Sequence, residues 1–378
     1  EELRRNDYFR RRGHESGAPR FQGDFGGGLK ELVTEYLIPG TKVYPVRDAL
    51  IRCYQYLIGK FDIDGYRIDT LQYVEPDFAR VFGNAIREYA QAIGKRNFFT
   101  FGEVWQDSDE AIVEFIGRNT NVDGELVGVD AALDFPVQSR LREVAKGFAP
   151  PASLASYYDL RRMVQRTIVS SHGDASRFFV TFLDNHDLDD RFYFRDPAGA
   201  YDDQHTLALA CLFGLQGIPC LYYGTEQGLS GRGGPREAVR EALWGAPSPF
   251  DKNHKFFQAT KTLAAVRQAE PALRYGRQYF RKLSGDGITF AHSPFPGGVI
   301  AFSRILNDRE VLVVANTSTT VSSTLFVELD RQLNPDGRVP RILYSNQATP
   351  QSPGPVVTKA QRACTEIHLR KMEVQIIA

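Results

Sequence analysis

The chain has no surplus of charge of either sign, since 46 basic and 46 acidic side chains cancel over 378 residues. That balance offers no basic face for nucleic acid or an anionic membrane, so neither is expected as a partner. No apolar run reaches the length of a bilayer span. Cysteine is scarce, and Cys53, Cys211, Cys220 and Cys364 show no CxxC or His-paired metal spacing. Cys53 and Cys211 fall in helix-like runs and Cys220 in a strand-like run. Buried free thiols are therefore expected, which favours a reducing, cytoplasmic setting over a secreted one. No signal peptide opens the chain, although residue 1 is Glu rather than Met. Gly26-Gly27-Gly28 has no preceding strand and no following Lys-Ser/Thr, which leaves a turn rather than a phosphate loop.

What remains is the composition of a globular protein, 42% hydrophobic and 24% charged, long enough for two domains or for one large barrel with an appendage. Aromatic residues make up 12% of the chain, which suits either a large core or flat platforms for sugar rings. Residues 1–44 are charged, Gly-rich and weakly periodic, with Arg10-Arg11-Arg12 read as a solvated loop face. From there to about residue 270, buried apolar strands alternate with amphipathic helices. Helices are expected over Val46–Lys60, Asp77–Ile93, Asp109–Ile116, Val137–Lys146, Leu154–Val169, Gln204–Leu215 and Lys255–Gln268. Strands are expected over Phe61–Ile68, Asn97–Phe101, Leu126–Phe135, Arg177–Leu183 and Ile218–Tyr223. That is the pattern of a parallel sheet wrapped by helices. Beyond Glu270-Pro271 the helices stop. Gln278–Phe280, Ile288–Phe290, Val299–Phe302, Val311–Ala315, Thr324–Leu329 and Ile367–Ile377 read as short antiparallel strands between Gly- and Pro-rich turns, a β-sandwich.

Three segments place an acid at the C-terminal end of a strand: Gly65-Tyr66-Arg67-Ile68-Asp69, Gly102-Glu103-Val104-Trp105 and Phe182-Leu183-Asp184-Asn185-His186-Asp187. In a β/α barrel those ends converge on one face. Cleaving an acetal between sugars needs one carboxylic acid to protonate the leaving oxygen and one carboxylate to meet the oxocarbenium charge. The two must hold opposite protonation states, so their surroundings must differ. Arg67 lies two residues before Asp69 and projects to the same side, which favours a charged Asp69 as nucleophile. Glu103 sits against apolar Val104 and Trp105, where partial desolvation raises its pKa and suits it to be the acid and later the base. Asp187, beside the donors Asn185 and His186, is expected to bind sugar hydroxyls most strongly in the transition state. Tyr66, Tyr73 and Trp105 are candidate stacking surfaces and equally ordinary core residues. Arg191 is read as a substrate contact or a solvated side chain.

These segments resemble signature regions of the α-amylase family of glycoside hydrolases and transglycosidases. Asp62–Asp69 is similar to its fourth barrel strand, Phe101–Trp105 to its fifth, Phe182–Asp187 to its seventh and Gly217–Glu226 to its eighth. The resemblance implies Asp69 as nucleophile, Glu103 as proton donor, Asp187 as transition-state stabiliser and Arg67 and His186 as substrate-binding groups; Tyr73 and Trp105 join the substrate-binding candidates on their aromatic character alone. It implies a (β/α)8 TIM barrel, here partial with strands four to eight, followed by the β-sandwich. The boundaries expected are a remnant of an inserted domain over 1–44, the partial barrel over 45–272 and the β domain over 273–378. The substrate implied is an oligo- or polysaccharide of α-linked glucose.

Two departures from the family pattern stand out. No segment like the family's third strand precedes residue 44, so a chain that begins inside the inserted domain is expected, with the N-terminal part of the same protein as its companion. Gln72-Tyr73 stands where many members carry Lys-His, which argues against calcium and leaves no cofactor expected. The leading expectation is a retaining α-glycosidic hydrolase acting through a glycosyl-enzyme on Asp69; a transglycosidase of the same scaffold, trehalose-forming or glucan-branching, and an inactive sugar-binding relative are the alternatives.

Overall fold

The computed structural model describes residues 3–10, 30–113, 115–116, 121–122, 125–126, 129–164, 175–232, 234, 236–245 and 248–378. The Gly26–Gly28 turn, Arg11 and Arg12, residues 127–128 of an expected strand and residues 165–169 of an expected helix lie outside them. By internal contacts the chain divides into two compact units, Glu1–Phe135 with Arg162–Val180 and Pro136–Arg161 with Thr181–Ala378.

The first unit is built on parallel strands. In chain order it holds α1 (Pro45–Phe61), β1 (Gly65–Ile68), α2 (Pro76–Ala92), β2 (Phe99–Gly102) and α3 (Asp109–Val113). A short hairpin, β3 (Asn121–Val122) with β4 (Glu125–Leu126), precedes β5 (Ala131–Leu133). β1 pairs in parallel with β2, β2 with β5, and β5 with the first half of β6 (Phe179–Phe182). α2 shows why the periodicity was readable. Pro76 enters it, and Phe78, Phe82, Ile86 and Ala90, one turn apart, share a core with Ile58 of α1 and Phe98. Gly94, at φ +89°, ends it in the left-handed conformation, and Lys95 N–H closes back on the Ala90 carbonyl at 2.8 Å.

The second unit begins with α4 (Phe135–Ala145) and α5 (Pro151–Val164), each of which crosses the boundary by a few residues at most. Thr181–Phe182 of β6, α6 (Asp202–Gly214), β7 (Ile218–Cys220), α7 (Lys255–Ala269) and α8 (Pro271–Tyr275) follow. Two antiparallel sheets complete it. One has the order β13-β16-β11-β10-β8, made of β13 (Ile342–Ser345), β16 (Val374–Ile377), β11 (Arg309–Asn316), β10 (Val299–Leu306) and β8 (Arg277–Phe280). The other has the order β14-β15-β12-β9, made of β14 (Val357–Lys359), β15 (Arg362–Leu369), β12 (Ser323–Glu328) and β9 (Leu283–Ser284).

The larger sheet is buried on both faces. Val299, Ala301, Leu312 and Val314 face the smaller sheet and share a core with Val327, Ile367 and Leu369. The alternate residues Ile300, Phe302, Val311 and Val313 pack on α6, which is buried on every side from Gln204 to Gly214. Arg304 of β10, fully buried, fastens this junction. It donates to the Gly214 carbonyl at 2.9 Å, the Leu273 carbonyl at 2.8 Å and the Gly276 carbonyl at 2.8 Å, which ties together the ends of α6 and α8.

Several expected elements differ. The strand expected from Phe61 starts only at Gly65, because Phe61 completes α1 and Asp62 caps it at φ 57°. Leu126–Phe135 is not one strand. It breaks between β4 and β5, and Phe135 already opens α4, where Pro136 suits the first turn. Ile288–Phe290 is a turn, since the Asp286 carboxylate accepts from the Ile288 and Thr289 N–H groups at 2.8 and 2.9 Å. Strands β13 and β14 were not anticipated. Cys53 is exposed rather than buried, whereas Cys211 and Cys364 are buried. Arg10 is no solvated arginine, because it pairs with Glu31 at 3.3 Å and with Glu75.

Replacing Arg304 by Met leaves three buried carbonyls without their donor. Arg304→Met is expected to lower stability by about 3 kcal/mol, since each unsatisfied buried acceptor costs about 1–3 kcal/mol. Urea denaturation of the whole protein measures this, and an unchanged midpoint would show that the carbonyls find other donors.

Candidate active site

Two glycines let the first unit's strands approach closely. A Cβ at Gly65 would lie 2.4 Å from the Phe99 carbonyl oxygen, and one at Gly102 would lie 2.1 Å from Leu71 Cδ2. With both side chains absent, β1 and β2 stay in register and Arg67 stands beside Phe101. The ladder continues one step past β2, where Glu103 N–H donates to the Ile68 carbonyl at 2.9 Å. The chain then turns at Thr70, at φ 48°, and Leu71 tucks under Gly102, fully buried.

This local folding brings three of the anticipated side chains together. The Arg67 guanidinium donates through Nη1 to Asp69 Oδ1 at 2.6 Å, and its Nη2 lies 3.0 Å from Glu103 Oε1. Thr70 N–H donates to the other Glu103 oxygen at 3.2 Å. The Glu103 side chain is only 8% exposed, whereas that of Asp69 is 69% exposed. Burial pushes the Glu103 carboxyl above its ordinary value, and the charge of Asp69 and a hydrogen bond with it add to the rise. The Thr70 N–H and Arg67 pull the other way without cancelling it. Two neighbouring carboxyls thus sit in unlike surroundings, one open to solvent and one held toward the protonated form.

The other anticipated residues of this unit have different settings. The Trp105 ring stacks on Phe135 with centroids 4.7 Å apart and leaves 40% of the residue exposed. Tyr73 is half-buried on the single turn Leu71–Tyr73. Its neighbour Gln72 is buried and accepts from Gln106 at 3.1 Å. Tyr66, considered as a stacking surface, instead packs among Tyr54, Phe82 and Phe98 and donates its hydroxyl to the Tyr54 carbonyl at 2.7 Å.

In the second unit the segment after β6 is held from below by Asp184. This fully buried carboxylate accepts from the Phe192 N–H and, at 3.2 Å, from the Thr225 hydroxyl, and burial pushes its pKa up. Asn185 is buried, and its side-chain oxygen accepts from the Asp187 N–H at 3.1 Å. Asp187 takes His186 Nε2 on one oxygen at 3.0 Å and Arg240 on the other at 2.8 Å. Arg240 also donates through Nε to the His186 carbonyl at 3.0 Å. Arg191 is neither a solvated side chain nor an exposed contact. Its buried guanidinium donates to the Tyr223 and Val239 carbonyls, both at 2.9 Å, and pairs with Glu241 at 2.9 Å. Arg240 and the bracing role of Arg191 escaped sequence reading, because both act on partners tens of residues away in irregular segments. Among the described residues no group of three or more His, Cys, Asp or Glu side chains is arranged to hold a metal ion. No chemical step is assigned to a metal.

Residues 41–243 match the family model for the α-amylase catalytic domain. The chain belongs to the α-amylase family. It is 28% identical over 365 residues to an α-amylase of Streptomyces lividans, a match covering 89% of this chain and 36% of that protein. It is 30% identical over 258 residues to a cyclomaltodextrin glucanotransferase of Geobacillus stearothermophilus, covering 68% of this chain and 30% of that one. The chain thus spans about a third of the length of these curated α-amylase-family relatives. Among solved structures, an Anoxybacillus α-amylase superposes with a TM-score of 0.71 at 23% identity, over 99% of this chain and 71% of that chain. The α-amylase of Geobacillus thermoleovorans, solved with acarbose, gives 0.71 at 22% identity, over 100% of this chain and 74% of that one. These likenesses establish an α-amylase-type fold, to which the parallel strands and the paired antiparallel sheets correspond.

The Glu103 shift carries a sign for stability. A carboxyl whose folded pKa is raised contributes fully below its unfolded value and loses that contribution as pH rises through the folded value. The stability of the parent protein relative to Glu103→Gln is therefore expected to fall as pH climbs from its ordinary 4.5 upward. Urea midpoints of both proteins from pH 4 to 8 measure it, and a constant difference would contradict the raised pKa.

Proposed function

We propose that this chain carries the reaction centre of a retaining α-glycosidic hydrolase acting on α-glucans or maltooligosaccharides. The observation that supports it most is the single Arg67 guanidinium shared by Asp69 and Glu103. In this reading exposed Asp69, oriented by Arg67, attacks the sugar carbon and forms a glycosyl-enzyme. Glu103, held toward its protonated form, gives its proton to the leaving oxygen and later takes one from the incoming water. Carboxyl groups that reach the same guanidinium leave little room for the water that inverting enzymes seat between acid and base, which favours retention.

Asp187 and His186 are assigned to sugar hydroxyls, Asp187 strengthening its hold as charge develops. Trp105, with a free ring face, and Tyr73 are assigned to sugar-ring contacts. We further assign the parallel strands to barrel strands four to eight within residues 45–272, with 1–44 as part of an inserted domain and 273–378 as the β domain. A transglycosidase remains the second reading, favoured by the glucanotransferase relatives. In that case a sugar hydroxyl replaces water at the second step.

Assays of the whole protein on maltooligosaccharides test this. Asp69→Asn is expected to lose about 10⁴-fold or more in turnover while keeping its fold. Appreciable residual turnover would remove Asp69 as nucleophile. Glu103→Gln is expected to lose about 10²–10⁴-fold on natural linkages but much less on substrates with activated leaving groups. Equal losses on both would remove Glu103 as the acid. New reducing ends in step with bond cleavage indicate hydrolysis, and longer or cyclic products indicate transfer.

A further inference from the structure

We propose that a cleft in the second unit, between the end of α4, the start of α6 and the loops of the antiparallel sheets, binds a phosphorylated sugar. The cleft holds about 620 Å³, within the range of small-molecule sites. Its charged lining is wholly cationic, since Lys146 and Arg232 face it and, among the described residues, no Asp or Glu does.

Among the described residues neither cation has a counter-ion. Among the described residues the Lys146 ammonium makes no hydrogen bond or ion pair and lies 5.4 Å from the centre of the Phe192 ring. The Arg232 guanidinium likewise has only the Phe194 ring, at 4.2 Å. Burial first, then the charges of Arg142 and Arg232, push Lys146 down to about 8, against the opposing pull of Asp184 and Asp190. A phosphate monoester supplies the charge both groups lack, through charge-assisted hydrogen bonds.

The rest of the cleft suits a sugar ring. Phe194 and Tyr201, with centroids 5.5 Å apart, give it an apolar wall. The Tyr201 and Thr319 hydroxyls line it with no hydrogen bond among the described residues, so both stand ready for ligand hydroxyls. The walls are built before any ligand arrives. Gly147, at φ +76°, brings the end of α4 so near the sheet loop that a Cβ there would lie 2.8 Å from the Thr317 carbonyl oxygen. That loop is fixed in turn by Ser318, whose hydroxyl accepts from the Thr320 and Val321 N–H groups at 3.2 and 3.1 Å. Asn316 adds a bond to the Val321 carbonyl at 2.9 Å. An inorganic phosphate alone would meet the cations but leave the aromatic wall and hydroxyls unused.

Calorimetric titration of the whole protein with glucose 6-phosphate, inorganic phosphate and glucose tests the proposal. Saturable binding of glucose 6-phosphate is expected, at least tenfold tighter than either fragment. Lys146→Gln and Arg232→Gln are each expected to weaken it tenfold or more. Arg232 is exposed, so its variant remains informative should Lys146→Gln fold poorly. Affinity should also decline as pH rises through about 8, where Lys146 loses its charge. No saturable binding, affinity unchanged in Arg232→Gln, or inorganic phosphate binding as tightly as the sugar phosphate would each overturn it.

Discussion

The close parallel pairing of β1 and β2 is the constraint on which the chemistry of the first unit depends. It exists because Gly65 and Gly102 carry no side chains where Phe99 and Leu71 already occupy the space. Once the strands meet, the two residues that leave them, Asp69 and Glu103, must emerge side by side. The Arg67 fork then settles between them. Backbone geometry thus brings the two carboxyls together, and burial raises that of Glu103.

Much of this was legible before any coordinates. Alternation along β1 already put Arg67 and Asp69 on one side, and the apolar neighbours of Glu103 already implied a raised pKa. Periodicity served the helices equally well, because the spacing in α2 leaves its buried face no other reading. Reading failed where local chemistry overrode apolar content. Ile288–Phe290 has the residues of a strand, but one aspartate two positions upstream captures its N–H groups. Leu126–Phe135 has the residues of a single strand, yet a helix claims its end.

Polar residues in the second unit were the least legible, because their partners are distant in sequence. Arg304 sits within an apolar strand and reads as an interruption, yet it joins the ends of two helices through their carbonyls. Arg191 reads as a surface residue, yet it is buried and secures the segment that follows β7. In both cases a planar cation with several donors serves carbonyl groups that the irregular backbone leaves unpaired. Composition alone cannot distinguish such an arginine from a solvated one.

The arrangement around Asp187 fixes its carboxylate in advance. One oxygen is held by His186 and the other by Arg240. Each carboxylate oxygen accepts more than one hydrogen bond, so these contacts orient the group without closing it to a further donor. The side chain therefore has little rotamer freedom left to lose when another donor arrives.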